Sequence, residues 1–279
     1  MPEKPGLKHA IARLMAGIVC SGLVLMATPV LAQKYASIII DDLGNSLEHG
    51  YDIAALPGAL TLAILPLTAY AHDIARTGVR HNKEIMLHLP MQSVAHSKAS
   101  PGTLDLHMTR QAFISQLRQN LAAVPHIRGV NNHMGSLLTR HPGLMDWLMQ
   151  ELKQHRSLYF VDSKTTPKSI AGRLASEHRI PNLSRDFFLD PDYSEATLRR
   201  QFDRFIARIN SRGYALAIAH PHPKTIKFLQ QNLHELGDQQ IRLVPVSQLI
   251  KIAARAQPQA DPNEVKTDVT CTGTTCTGL

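Results

Sequence analysis

Cysteine is scarce, at three residues in 279. That excludes a disulfide-stapled scaffold, so hydrophobic burial has to make the core. Aromatic residues are only 5% of the chain, which leaves few flat platforms for stacking bases. Lys and Arg outnumber Asp and Glu by 30 to 22, yet they are scattered and form no dense run. A nucleic-acid partner is therefore not expected, and the basic balance reads as a solvated surface. The GxSxG, P-loop and GxGxxG patterns are absent, which argues against serine hydrolase and nucleotide-binding chemistry. What the chain does have is 44% hydrophobic residues, enough for one sizeable core, and 15 histidines, an unusual supply of metal-capable and acid-base side chains.

The two ends differ from the middle. Lys4, Lys8 and Arg13 precede an apolar stretch over residues 14–27, followed by Pro29 and the small-residue pattern Val30-Leu31-Ala32. This predicts a secretory signal over 1–32, cut after Ala32, and export to a periplasm or to the outside. The apolar stretch is shorter than the roughly 20 residues that a membrane span needs, so no stable span is expected after cleavage. Residues 256–279 are poor in apolar side chains and carry Cys271 and Cys276; they predict a disordered tail. One domain is left, over 33–255.

Within it, short apolar runs at 36–40, 60–65, 85–89, 129–132, 158–161, 186–189, 214–219 and 241–246 read as buried parallel strands. Amphipathic segments alternate with them. The clearest helices are 109–124 and 194–212; in the second, Leu198, Phe202, Phe205, Ile206 and Ile209 form an apolar stripe between a Ser194 cap and Gly213. Repeated β/α units of this kind fit either a doubly wound sheet or a barrel, and spacing alone does not separate the two.

Polar residues follow the strands: Asp41 and Asp42, His88, His133, Asp162 and Ser163, then His220 and His222. Parallel α/β folds open the carboxyl ends of all strands onto one face, so these distant residues can meet there. One carboxylate with two imidazoles and an open position suits a catalytic divalent cation, zinc above all. Each residue also has a plainer reading. Asp42 could cap a helix, His88 could be a satisfied core histidine, Asp162 could end a strand, and the prolines around His220 and His222 could make a rigid loop. Adjacent Asp41 and Asp42 repel each other unless a cation intervenes.

Six motifs in order, IIIDDLG, MLHLPMQ, GVNNHMGS, YFVDSKTT, RDFFLD and AIAHPHPKT, resemble the divergent polysaccharide deacetylase family, distant relatives of the NodB-type carbohydrate esterases, over roughly residues 35–250. The resemblance implies a distorted seven-stranded β/α barrel and metal-dependent removal of acetyl groups from an N-acetylated polysaccharide. In that pattern Asp41 matches the general base, Asp42 a metal ligand, His88 the first His of an HxxxH motif and His220 the late catalytic acid. The pattern departs at two places: Gln92 stands where the second His is expected, and Asn131 to Gly135 replace an Arg-Pro-Pro-Tyr-Gly segment. His133 is then the expected third ligand. Asp162, Ser163, Arg185, Asp186 and His222 are expected in supporting roles, and residues 93–107 as a substrate-side loop. Two other readings are carried: a non-catalytic envelope protein that binds a glycan or a partner on the same barrel, and a glycoside hydrolase using Asp41 with Asp162.

Overall fold

The computed structural model describes Met1 and residues 33–95, 100–155 and 157–256. The expected export segment lies outside the described residues apart from Met1, and the expected tail lies outside them apart from Ala256. The strands are β1 (Lys34–Leu43), β2 (Thr61–Ile64), β3 (Glu84–Met91), β4 (Ile127–Met134), β5 (Tyr159–Asp162), β6 (Asn182–Ser184), β7 (Phe187–Phe188), β8 (Tyr214–Ala219) and β9 (Ile241–Leu243). They alternate with α1 (Leu47–Ala55), α2 (Ala71–Arg80), α3 (Arg110–Ala123), α4 (Pro142–Gln154), α5 (Ala171–Glu177), α6 (Glu195–Arg212), α7 (Pro223–Asn232), α8 (His234–Asp238) and α9 (Val246–Ala256).

Among the described residues all strands pair in parallel, in the order β6-β5-β4-β3-β2-β1-β8-β7, with β9 also on β1. The two edges of this path are consecutive in sequence. Arg185 N donates to Asp162 O on β5, whereas Asp186 N and Leu189 N donate to Leu216 O and Ile218 O on β8. Residues 182–189 are thus one split strand that changes partner midway, and the sheet curls into a distorted β/α barrel. Counting the split strand once gives seven staves, with β9 filling the lower edge of β1.

Strand alternation divides the core in two. Ile38 and Ile40, with Leu87, Leu89, Val130 and Phe160, pack outward against the helices. Ile39, Met86, Val161, Leu216 and Ile218 pack inward, where Leu249, Ile250 and Ala253 of α9 join them. The inner cluster is the smaller of the two, and Ile39 at its centre is fully buried. Ile39→Ala is expected to lower unfolding free energy by about 2–5 kcal/mol in denaturant titration, since little around it can collapse into the space.

Several helices begin as their sequences dictate. Ser46, Thr109 and Ser194 accept from the backbone N–H groups of His49, Ala112 and Thr197, and α6 ends at Gly213 with φ +85°. The strand expectations need correction at their ends. β1, β3 and β4 run two or three residues past the apolar cores seen in sequence, so Asp41, Asp42 and His133 lie within strands rather than after them, and His88 lies inside β3, within the 85–89 run itself. The run expected at 241–246 stops at Leu243, because Val246 already opens α9. β6, sequence NLS, was not expected: it has no apolar run, and only its pairing with β5 makes it a strand. No described helix is long and apolar enough to cross a membrane.

Candidate metal centre and active site

Alternation along β1 turns Ile39 and Asp41 into the barrel and should turn Asp42 out. It does not, because the β1–β2 register slips between Ile40 and Leu43 and Asp42 adopts φ +57°, a conformation that non-glycine residues rarely hold. The kink lets two consecutive carboxylates serve one site. Such strain persists where the surroundings over-determine it, typically at functional positions.

Three side chains from three strands meet above Asp41. His88 Nε2 lies 3.0 Å and His133 Nδ1 2.9 Å from Asp42 Oδ1, and the two nitrogens are 3.2 Å apart. Asp42 Oδ1 is buried and makes no well-aligned hydrogen bond despite these neighbours. Among the described residues, Asp42, His88 and His133 form a group whose ligand atoms all fall within 4.8 Å of one another. Carboxylate plus two imidazoles is a donor set for a divalent cation. The electrostatics agree, because the site demands positive charge. Burial opposes ionisation of Asp42, yet the adjacent His133 and His88 hold its carboxyl well below the usual range. Burial likewise opposes a charged His88, yet Asp41 and Asp42 push its pKa up.

Asp41 is buried beneath this group. Desolvation is the largest influence and raises its pKa, partly offset by His88 and His220. Its Oδ1 accepts from Asn131 Nδ2 at 2.8 Å. On the other side of the barrel mouth stands His220, directly after β8. Its Nδ1 lies 2.9 Å from Asp190 Oδ1, and its backbone N–H donates to Asp190 Oδ2 at 2.7 Å. Burial would lower the His220 pKa, but the hydrogen bond and charge of Asp190, with Asp41 and Asp42 beyond, raise it to about 9. Buried Asp190 was not anticipated from the sequence, although it ends the RDFFLD run in the same strand-end setting that drew attention to Asp41.

The remaining expected residues are distributed around this centre. Arg185 donates to the carbonyls of Ser163 and Lys164 and lies over the Phe188 ring at 3.6 Å; that ring is 5.7 Å from the His220 ring. Asp162 accepts from Lys164 N, Ser169 Oγ and Gly172 N, so it ties down the loop from β5 to α5. Ser163 N donates to Asn132 Oδ1, joining the tops of β4 and β5. Asp186 accepts from Leu216 N and Arg212 at the β7–β8 edge. His222 caps α7 through Lys224 N and stacks on Tyr193 with ring centroids 4.0 Å apart. Among the described residues, the hydrogen bonds of Asp162 and Asp186 go to backbone N–H groups, Ser169 and Arg212 and reach no imidazole.

Gln92, at the position of the missing ligand, has a different task. Its Oε1 accepts from Leu106 N, its N–H donates to Leu104 O, and its carbonyl accepts from Leu137 and Leu138. It anchors the described part of the 93–107 segment, whose Ser100 Oγ approaches His133 Nε2 at 3.5 Å. Gln92→Ala is therefore expected to leave cation content unchanged while residues 100–106 exchange amide hydrogens faster, measured by exchange mass spectrometry.

A polar centre with a donor set suited to a divalent cation thus lies at the carboxyl end of a parallel barrel, the face on which such folds build their sites. Residues 38–250 match the family model for divergent polysaccharide deacetylases, and the chain belongs to that family. It is 37% identical over 218 residues to an uncharacterized protein of Haemophilus influenzae, covering 78% of this chain and 77% of the relative. It is 34% identical over 241 residues to the uncharacterized protein YibQ of Escherichia coli, covering 86% and 73%. The solved structure of an uncharacterized Agrobacterium tumefaciens protein superposes with a TM-score of 0.75 at 23% identity, covering 80% of this chain and 91% of that one, and so shares the fold.

Proposed function

We propose that the protein is an exported, zinc-dependent hydrolase that removes N-acetyl groups from a cell-envelope polysaccharide. The observation that carries this reading is the Asp42–His88–His133 triangle accompanied by a buried carboxylate, Asp41, and a carboxylate-backed imidazole, His220. Family membership supports the polysaccharide substrate, and the basic-then-apolar amino-terminal sequence supports export to the periplasm or beyond.

Asp42, His88 and His133 would hold the cation. When bound, a divalent cation polarises an amide carbonyl and lowers the pKa of water from 15.7 towards about 7. Asp41 takes the proton of the attacking water; its buried position keeps its carboxyl more basic than a solvated one. His220 gives a proton to the departing sugar amine, which would otherwise leave as a very poor anion. Asp190 holds the His220 ring by Nδ1, so Nε2 is the nitrogen left to serve the substrate. The exposures suit these tasks: Asp42 is 37% and His220 26% open at the mouth, while Asp41 and His88 are sealed beneath.

The glycosidase reading loses support, since Asp162 is committed to the β5–α5 loop. Asp41→Asn keeps the Asn131 contact geometry but cannot accept a proton. It is expected to reduce acetate release from N-acetylglucosamine oligomers by about 100-fold or more at unchanged zinc content. Full activity in that variant would remove Asp41 from the mechanism.

A further inference from the structure

We infer that Asn131 is a positioning residue that couples the cation site to the base, one amide fixing the ring proton of His88 and the orientation of Asp41 together. The inference rests on reading Asp42, His88 and His133 as cation ligands. Asn131 is fully buried on β4, directly opposite His88 in the β3–β4 register, and its side chain reaches across the barrel interior to β1. Its Nδ2 donates to Asp41 Oδ1 at 2.8 Å, which leaves the amide oxygen facing His88 Nδ1, also at 2.8 Å.

That oxygen can only accept, so the proton of a neutral His88 ring sits on Nδ1. Nε2 then presents a lone pair to the space it shares with Asp42 Oδ1 and His133 Nδ1, at 3.0 and 3.2 Å. In the opposite tautomer two acceptors would face each other at Asn131, and a hydrogen would occupy the place of the cation. Ligating histidines commonly rely on such a partner for the second ring nitrogen. Here the same side chain also holds the carboxylate that receives the water proton. An aspartate could not donate to Asp41 while ionised, and an apolar residue would serve neither neighbour. Asparagine supplies one donor and one acceptor on a short arm, in a segment that carries Arg in the esterase pattern this chain resembles.

The test uses the full chain with 15N-labelled histidine, comparing wild type with Asn131→Ala and Asn131→Leu, the second filling the space left by the amide. Zinc affinity is measured by competition with a chelating indicator, and the His88 ring-nitrogen signals are recorded on the metal-free protein at alkaline pH, where the ring is neutral. Zinc binding is expected to weaken about 10–100-fold in both variants, and His88 to change from a protonated Nδ1 with bare Nε2 to a mixture of tautomers. Folded variants that keep wild-type zinc affinity and the wild-type His88 signature would overturn the inference. Wild-type protein that binds no zinc instead overturns the functional reading, a separable result, because the ring-proton signature is read without metal.

Discussion

His133→Ala is expected to abolish tight zinc binding, with affinity falling by more than about 100-fold, beyond what loss of an outer hydrogen-bond partner costs. His133 contributes one of three ligand atoms, its Nδ1 being 2.9 Å from Asp42 Oδ1 and 3.2 Å from His88 Nε2. With two ligands left, neither the carboxylate nor the remaining imidazole can hold a cation against water. Acetate release should fall in parallel. Stability should change little, because the His133 side chain belongs to neither hydrophobic cluster. Gln92→Ala provides the contrast: it alters the position where the esterase pattern this chain resembles has a histidine, yet zinc content should stay at the wild-type level. Were the pattern reversed, with Gln92 needed for metal and His133 dispensable, the assignment of ligands would be wrong.

The second large effect concerns Asp190. Its carboxylate accepts from His220 N, Nδ1 of the ring and Thr225 Oγ1. With the His220 pKa raised to about 9, the acid stays protonated through neutral pH, and activity should decline on the alkaline side near that value. A cation held by Asp42, His88 and His133 would repel the imidazolium and move the limb lower. The sign for stability follows from the same shift. His220 is more basic folded than unfolded, so its contribution is complete below the unfolded value near 6.5 and is lost as pH rises through about 9. Asp190→Asn removes the main charge behind the shift. Its alkaline limb should move about one to two units towards 6.5, and activity at pH 8 should drop about 2- to 10-fold, with zinc affinity unchanged. A profile identical to wild type would show that Asp190 does not govern the acid.

How far the sequence revealed this site follows from the kind of interaction involved. The strand-end placement of Asp41, Asp42, His88, His133 and His220 was legible because alternation and parallel pairing bring strand ends to one face whatever the intervening chain does. The bulge and positive φ that turn Asp42 inward were not legible, because a single residue changing backbone region leaves no periodic trace. Asn131 could be seen only as a departure from a related pattern. Its role depends on the β3–β4 register, which sets it beside His88, and on a contact across the barrel. Residues 182–189 likewise become a split strand through the carbonyls they meet on β5 and β8. Asp190 is a different case, since the strand-end rule applied to RDFFLD would have found it.

On the proposed function, a cation held by Asp42, His88 and His133 enables this chain to cleave N-acetyl groups. The most direct measurement is acetate release from chitin-type and peptidoglycan-type oligomers by purified protein, first stripped of metal with a chelator and then supplied with zinc. The expected result is no acetate from the stripped protein and recovery at about one zinc per chain. Stoichiometric zinc binding and glycan binding with no acetate released from either class of oligomer would contradict it, leaving a barrel that binds and does not turn over.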